Sequence, residues 1–156
     1  MIFLRRFFVF SLSLLLILSL VACSGVNFNT SMSYTFNVEN GEKIKVTFDT
    51  TDNYSFKQSD GNMYFINNEN LTILQGYFIL SEMYDRFLTE LFFEDVKLAD
   101  GRVFHKNTDV EDADFAFLYR PTGANIGVLL YNKDSSDLSV CESVLERITF
   151  EVVNSK

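Results

Sequence analysis

Residues 34–48 read YTFNVENGEKIKVTF, and their register decides what kind of domain follows. Tyr34, Phe36 and Val38 alternate with polar residues, as do Ile44, Val46 and Phe48, so each arm is a half-buried strand. A two-residue turn at Asn40-Gly41 would set Val38 opposite Lys43 and Asn37 opposite Ile44, mixing apolar with polar on both faces. A three-residue loop, Glu39-Asn40-Gly41, pairs Phe36 with Ile44 and Tyr34 with Val46 instead. The apolar side chains then share one face, and Gly41 takes the left-handed bulge position. The spacing predicts a bulged antiparallel hairpin.

Similar signals continue outward. The arms YSFKQ and MYFIN flank Asp60-Gly61, a second hairpin, and LTILQGYFIL, residues 71–80, follows as another strand. The consecutive apolar residues of MYFI suit a central strand covered on both faces. From Ser81 the period changes. Met83, Tyr84, Phe87, Leu88, Leu91 and Phe92 fall at helical spacing, with Glu82 and Arg86 four apart on the polar side and Ser81 as the expected N-cap. VKLADGRVFHK is a third hairpin, turning at Asp100-Gly101. DFAFLYRPTGANIGVLLYN is a fourth, whose RPTG places Pro121 and Gly123 at the second and fourth positions of a type I turn. Its arms are apolar on both faces and belong in mid-sheet. SSDLSVCESVLERI is a helix capped by Asp137, and TFEVV a last strand.

The expected domain is α+β: a mostly antiparallel sheet of about seven or eight strands with two amphipathic helices packed on it. The succession of a helix, FLYRPTGANIGVLLYN, a helix ending in LERI and the strand TFEVV is similar in order to small secreted domains of the PsbP-like fold, which several bacterial lipoproteins share. That resemblance implies a fold and no particular function.

Ahead of the domain stands MIFLRRFFVFSLSLLLILSLVAC, with cations at Arg5 and Arg6 and an apolar run ending in small residues. This is the layout of a secretory signal peptide. The run is shorter than the roughly 20 apolar residues of a spanning helix and lacks a stop-transfer cluster. Leu20-Val21-Ala22-Cys23 resembles the lipobox of bacterial lipoproteins. The resemblance implies cleavage before Cys23, diacylglyceryl transfer to its thiol, and an extracytoplasmic protein held to the cell membrane by lipid. Two acyl chains anchor stably where one does not. The expected organisation is a signal peptide over 1–22, a lipidated tether over 23–33 and a single domain over 34–156. The tether is rich in Ser, Asn and Thr.

Loss of Arg5 and Arg6 leaves 11 of the 13 basic residues against 21 acidic ones, a net of −10. Such a surface repels phosphate backbones, which excludes nucleic acid as a partner. With Cys23 carrying lipid, Cys141 has no disulfide partner, so packing must hold the fold, and 17 phenylalanines are there to do it.

Residues with chemical potential are few. His105 is the only histidine; it lies on a strand with no ligand partner at metal spacing and reads as a surface or sheet-flanking residue. Cys141 shares a helical face with Leu138, Leu145 and Ile148 and behaves as a small core residue without a neighbouring cation to activate it. In DVEDAD, Asp109, Glu111, Asp112 and Asp114 supply the oxygen-rich chemistry of a weak extracellular Ca²⁺ site, although the EF-hand spacing is missing and a solvated acidic turn accounts for them as well. Glu142 and Glu146, four apart, read as a solvated helix face rather than a glycosidase pair. No phosphate loop, dinucleotide fingerprint, GxSxG, HExxH or CxxC occurs, and no cofactor is implied. The expectation is a non-enzymatic binding or accessory module of the bacterial envelope, meeting an envelope protein or glycan, with a carboxylate-based cell-wall or polysaccharide hydrolase as the alternative.

Overall fold

In a computed structural model, residues 30–92 and 94–153 form an α+β domain of two antiparallel sheets and two helices. The leader over 1–22, the lipobox with Cys23 and residues 23–29 of the tether lie outside the described residues, while residues 31–33, expected in the tether, belong to the first strand. No described helix is long and apolar enough to cross a membrane.

Among the described residues there are ten strands, β1 (Ser31–Asn37), β2 (Lys43–Asp49), β3 (Ser55–Ser59), β4 (Asn62–Ile66), β5 (Thr72–Leu80), β6 (Glu94–Lys97), β7 (Val103–Asn107), β8 (Ala116–Tyr119), β9 (Ile126–Asn132) and β10 (Ile148–Val152). Helices α1 (Ser81–Glu90) and α2 (Leu138–Glu146) follow β5 and β9. The strands divide into a three-stranded sheet, β1-β2-β10, and a seven-stranded sheet, β3-β4-β5-β9-β8-β7-β6. One sheet of seven or eight strands was expected; the division arises because β10 returns to β2 rather than to a strand near it in sequence.

The first hairpin has the bulged register, Phe36 opposite Ile44 and Tyr34 opposite Val46, with Gly41 at φ +86°. The third repeats it. Leu98 N–H donates to Arg102 O, Gly101 sits at φ +88°, and the Asp100 side chain accepts from Arg102 N–H as Asn40 accepts from Glu42 N–H. At the second hairpin Asp60 and Gly61 both adopt positive φ in a two-residue loop.

Three local expectations are corrected. MYFI is not in mid-sheet: β4 lies next to the edge strand β3, and the register shift beside Phe65 and Ile66 leaves Ile73 of β5 as an extra residue, so that Ile73 and Leu74 both enter the main core. The RPTG turn slips by one residue: Ala124 N–H donates to Pro121 O at 3.0 Å, so Gly123 takes the third position with φ +80°. Ser81 lies inside α1 rather than capping it. Leu80 is the N-cap with no side-chain bond, and the Ser81 hydroxyl accepts from Arg120 instead. The ion pair on this helix is Arg86–Glu90 at 3.3 Å. Asp137 does cap α2, its Oδ1 accepting from Ser139 N–H at 2.9 Å.

The main core lies between the inner face of the large sheet, the small sheet and α2. Phenylalanine fills it. Phe48 meets Phe65 at 5.1 Å and Phe56 at 6.1 Å, Phe36 meets Phe78 at 5.3 Å, and Phe104 stacks on Tyr119 at 4.4 Å. Alternation sends the other residues of the same strands to the outer face, where a smaller cluster forms from Ile79, Tyr84, Phe92, Ala116 and Leu118.

Candidate functional site

The outer face is covered unevenly. Helix α1 seats Tyr84 against Gly127, where an added Cβ would come within 2.4 Å of the Tyr84 ring. Arg120, just past β8, fastens the helix start: its Nη2 donates to Ser81 Oγ at 3.0 Å and Asp85 Oδ1 at 2.8 Å, and its guanidinium lies 4.1 Å from the Tyr84 ring centroid. Burial pushes the Tyr84 phenol above its ordinary pKa, and the Arg120 charge partly offsets this. The helix therefore covers the end of the sheet at Leu80 and Ile126 and leaves the other end open.

In the open part, Tyr64 of β4, Gln75 of β5 and Tyr131 of β9 lie in one row across the sheet, and Tyr77 with Leu129 forms the adjoining row. Between these strands, the C-terminal end of α1 and the 107–113 loop runs a groove of about 430 Å³. Tyr77, Leu129 and Tyr131 make its floor, Phe87, Leu91 and Phe92 one wall, and Val110 and Ala113 the other; Asn107, Glu111, Asp112 and Lys133 carry the polar groups. Tyr77 and Leu91 are 37% and 42% exposed, large for apolar groups sharing one recess. Burial, and then the nearby Tyr77 and Tyr64 phenols, push the Tyr131 phenol above its ordinary pKa. A concave, mainly apolar recess of this size with a few polar groups at its rim is the ordinary form of a ligand seat.

The candidates singled out in the sequence lie elsewhere or do other work. Asp109, Glu111, Asp112 and Asp114 are all exposed, and Asp112 sits at φ +64° in a loop closed by a Val110–Ala113 bridge. They do not converge. Asp114 turns away to accept from Ser136 Oγ at 2.5 Å and Asn132 Nδ2 at 3.4 Å, and among the described residues no three His, Cys, Asp or Glu side chains are grouped to hold a metal. Asn132, itself buried, also accepts from Phe115 N–H at 2.6 Å, so this acidic end is tied into the fold.

His105 does have a carboxylate: its Nδ1 lies 2.7 Å from Asp95 Oδ1 across the β6–β7 pair. The hairpin register would have found this partner, since a three-residue loop at Ala99-Asp100-Gly101 sets 95 opposite 105. Glu142 and Glu146 stay on the outside of α2. The three carboxyls whose titration is displaced, Asp49, Asp100 and Asp137, are all held below the usual range by donors, chiefly the backbone N–H of Thr51, the backbone N–H of Arg102 and the Ser139 hydroxyl. That is the opposite of what a general acid requires.

Cys141 is fully buried among the main-core residues, and burial, with Asp137 and Glu142 adding to it, pushes its thiol up to about 11. The native protein at pH 8 is expected to react with a disulfide reagent at least about 100-fold more slowly than after denaturation, because little thiolate exists and none is reachable. Labelling at equal rates in both states would show that α2 does not shield the sulfur. No family model matches the chain, and no curated protein or solved structure matches it either.

Proposed function

We propose that the chain is a membrane-anchored lipoprotein of the bacterial envelope whose domain acts as a non-enzymatic binding or accessory module, with the outer-face groove as its seat. The anchor rests on the sequence of the leader, in which cations, apolar run, small residue and Cys23 stand in order. The groove carries the binding role: an aromatic floor supplied by rigid strands, a partly exposed apolar wall, and polar groups at the rim. The adjacent rim carboxylates, Glu111 and Asp112, belong to one exposed loop and do not flank a cleft from opposite sides as a hydrolytic pair would.

Cells expressing the full chain and fed a labelled fatty acid are expected to yield a labelled membrane-bound protein, and Cys23→Ser to yield an unlabelled one that leaves the membrane fraction. Label retained by the serine variant would refute the anchor. A photo-reactive residue at position 91, on the groove wall, is expected to crosslink an envelope component in the anchored protein; a free groove in intact cells would refute the binding role.

A further inference from the structure

We propose that the groove and the tyrosine rows beside it bind a neutral glycan, one sugar ring seated over Tyr131 and Tyr77 and the chain continuing across Gln75 toward Tyr64; this deepens the binding-module reading and rests on it. Four observations point to this ligand class.

The first is the row itself. Tyr64, Gln75 and Tyr131 occupy successive strands at matched register, so two strand spacings, about 9.5 Å, separate the two tyrosine backbones with an amide side chain between them. A sugar ring offers an apolar C–H face to an aromatic ring and hydroxyls at its edge to neighbouring polar groups. An alternation of ring, amide and ring across neighbouring strands matches both demands. Tyrosine is suited to this because it brings a large, stiff, amphipathic surface at a low ordering cost.

The second is the rim. Asn107, Glu111, Asp112 and Lys133 offer donors and acceptors of both signs within one recess. Hydroxyl groups donate and accept and so satisfy either kind; an ion of one sign would meet its own charge on part of this rim. The third is size. A recess of about 430 Å³ lies at the small end of ligand sites and holds one ring with its substituents rather than a folded segment. An amphipathic peptide helix would need an apolar groove running on for several turns, whereas this one gives way to Gln75 and the exposed Lys57, which pairs with Tyr64. The fourth is charge. With 21 acidic residues in the chain, an anionic polymer is repelled at long range while a neutral one is indifferent.

The test is titration calorimetry on the full lipidated chain in neutral detergent micelles, with the tetramer of N-acetylglucosamine and cellotetraose as neutral probes and tetragalacturonate as the anionic one. At least one neutral tetramer is expected to bind in the micromolar to millimolar range, and tetragalacturonate not to bind. Tyr131→Ala is expected to weaken binding about tenfold or more, as loss of a central aromatic anchor does, and Tyr77→Ala by a smaller factor. Tyr131→Phe, which keeps the ring and the packing, should stay within about threefold, and Met32→Ala on the small sheet should change nothing. Native circular dichroism of each variant separates lost contact from lost fold. No heat from either neutral tetramer at about 10 mM, equal binding of the anionic one, or full affinity in a folded Tyr131→Ala protein overturns the proposal. If the residue-91 crosslink still captures a protein while no glycan binds, the glycan is wrong and the binding module stands; if neither occurs, both fall.

Discussion

Replacing Phe48 by alanine is expected to cost about 4 kcal/mol of stability, within the range for truncating a fully buried phenylalanine. Phe48 has no exposed surface, and three rings, Tyr54, Phe56 and Phe65, lie at centroid distances of 5.1 to 6.3 Å from it. It also stands on the middle strand of the small sheet, opposite Met32 of β1 and Ile148 of β10. The cavity would therefore open where the two sheets meet, and strands held on both sides have little freedom to collapse into it. Urea denaturation followed by circular dichroism measures the loss, and melting should fall by roughly 15 °C. A loss below about 1 kcal/mol would mean that the sheets do not pack as described.

Gly76→Ala is the second large effect. A Cβ at this position would lie 2.3 Å from Leu130 Cδ2 and 2.5 Å from the Leu129 carbonyl oxygen. A leucine methyl can swing aside; the carbonyl belongs to the β5–β9 pair at the middle of the large sheet and has nowhere to go. The expected cost is about 3 kcal/mol, at the upper end for overpacking. It should bring a change in aromatic near-ultraviolet dichroism, because Tyr77 and Tyr131 stand on either side of the distorted pair. Gly61→Ala is the matched control: nothing lies within 4 Å of its would-be Cβ, so its cost comes from positive φ alone and should stay near 1 kcal/mol. Equal losses in the two variants would assign the Gly76 effect to backbone freedom instead of crowding. At the outer end of β9, an alanine at Gly127 would push on Tyr84 and lift α1, which makes it the variant of choice for altering the groove wall without touching its lining.

What the sequence made legible is local. Alternation and turn chemistry placed the first three hairpins, because Gly41, Gly61 and Gly101 each mark a position whose positive φ disfavours other residues. Asp137 announced α2 by a bond two residues away. The RPTG turn slipped on a local bond between Ala124 and Pro121, but the other misses were decided by partners elsewhere in the fold. Ser81 gave up its capping role to Arg120, thirty-nine residues on. The bulge at Ile73 of β5 answers to the course of β4, and the division into two sheets to β10. The groove belongs to this second kind. Its residues come from β5, α1, the 107–113 loop and β9, and each taken singly reads as an amphipathic or core residue. Only the matched registers of β4, β5 and β9 set the tyrosines side by side.

The pairing of Phe48 with Ile148 joins positions a hundred residues apart, and β2 has no neighbour on that side until the last described strand arrives. During synthesis the first hairpin must wait for its third strand until β10 has been made. Closure of the main core thus waits for β10, and long-range strand pairing of this kind is slow in any case. If the chain is exported through a translocation channel, as the proposed lipoprotein would be, such a late lock would favour passage of the unfolded chain and folding on the far side.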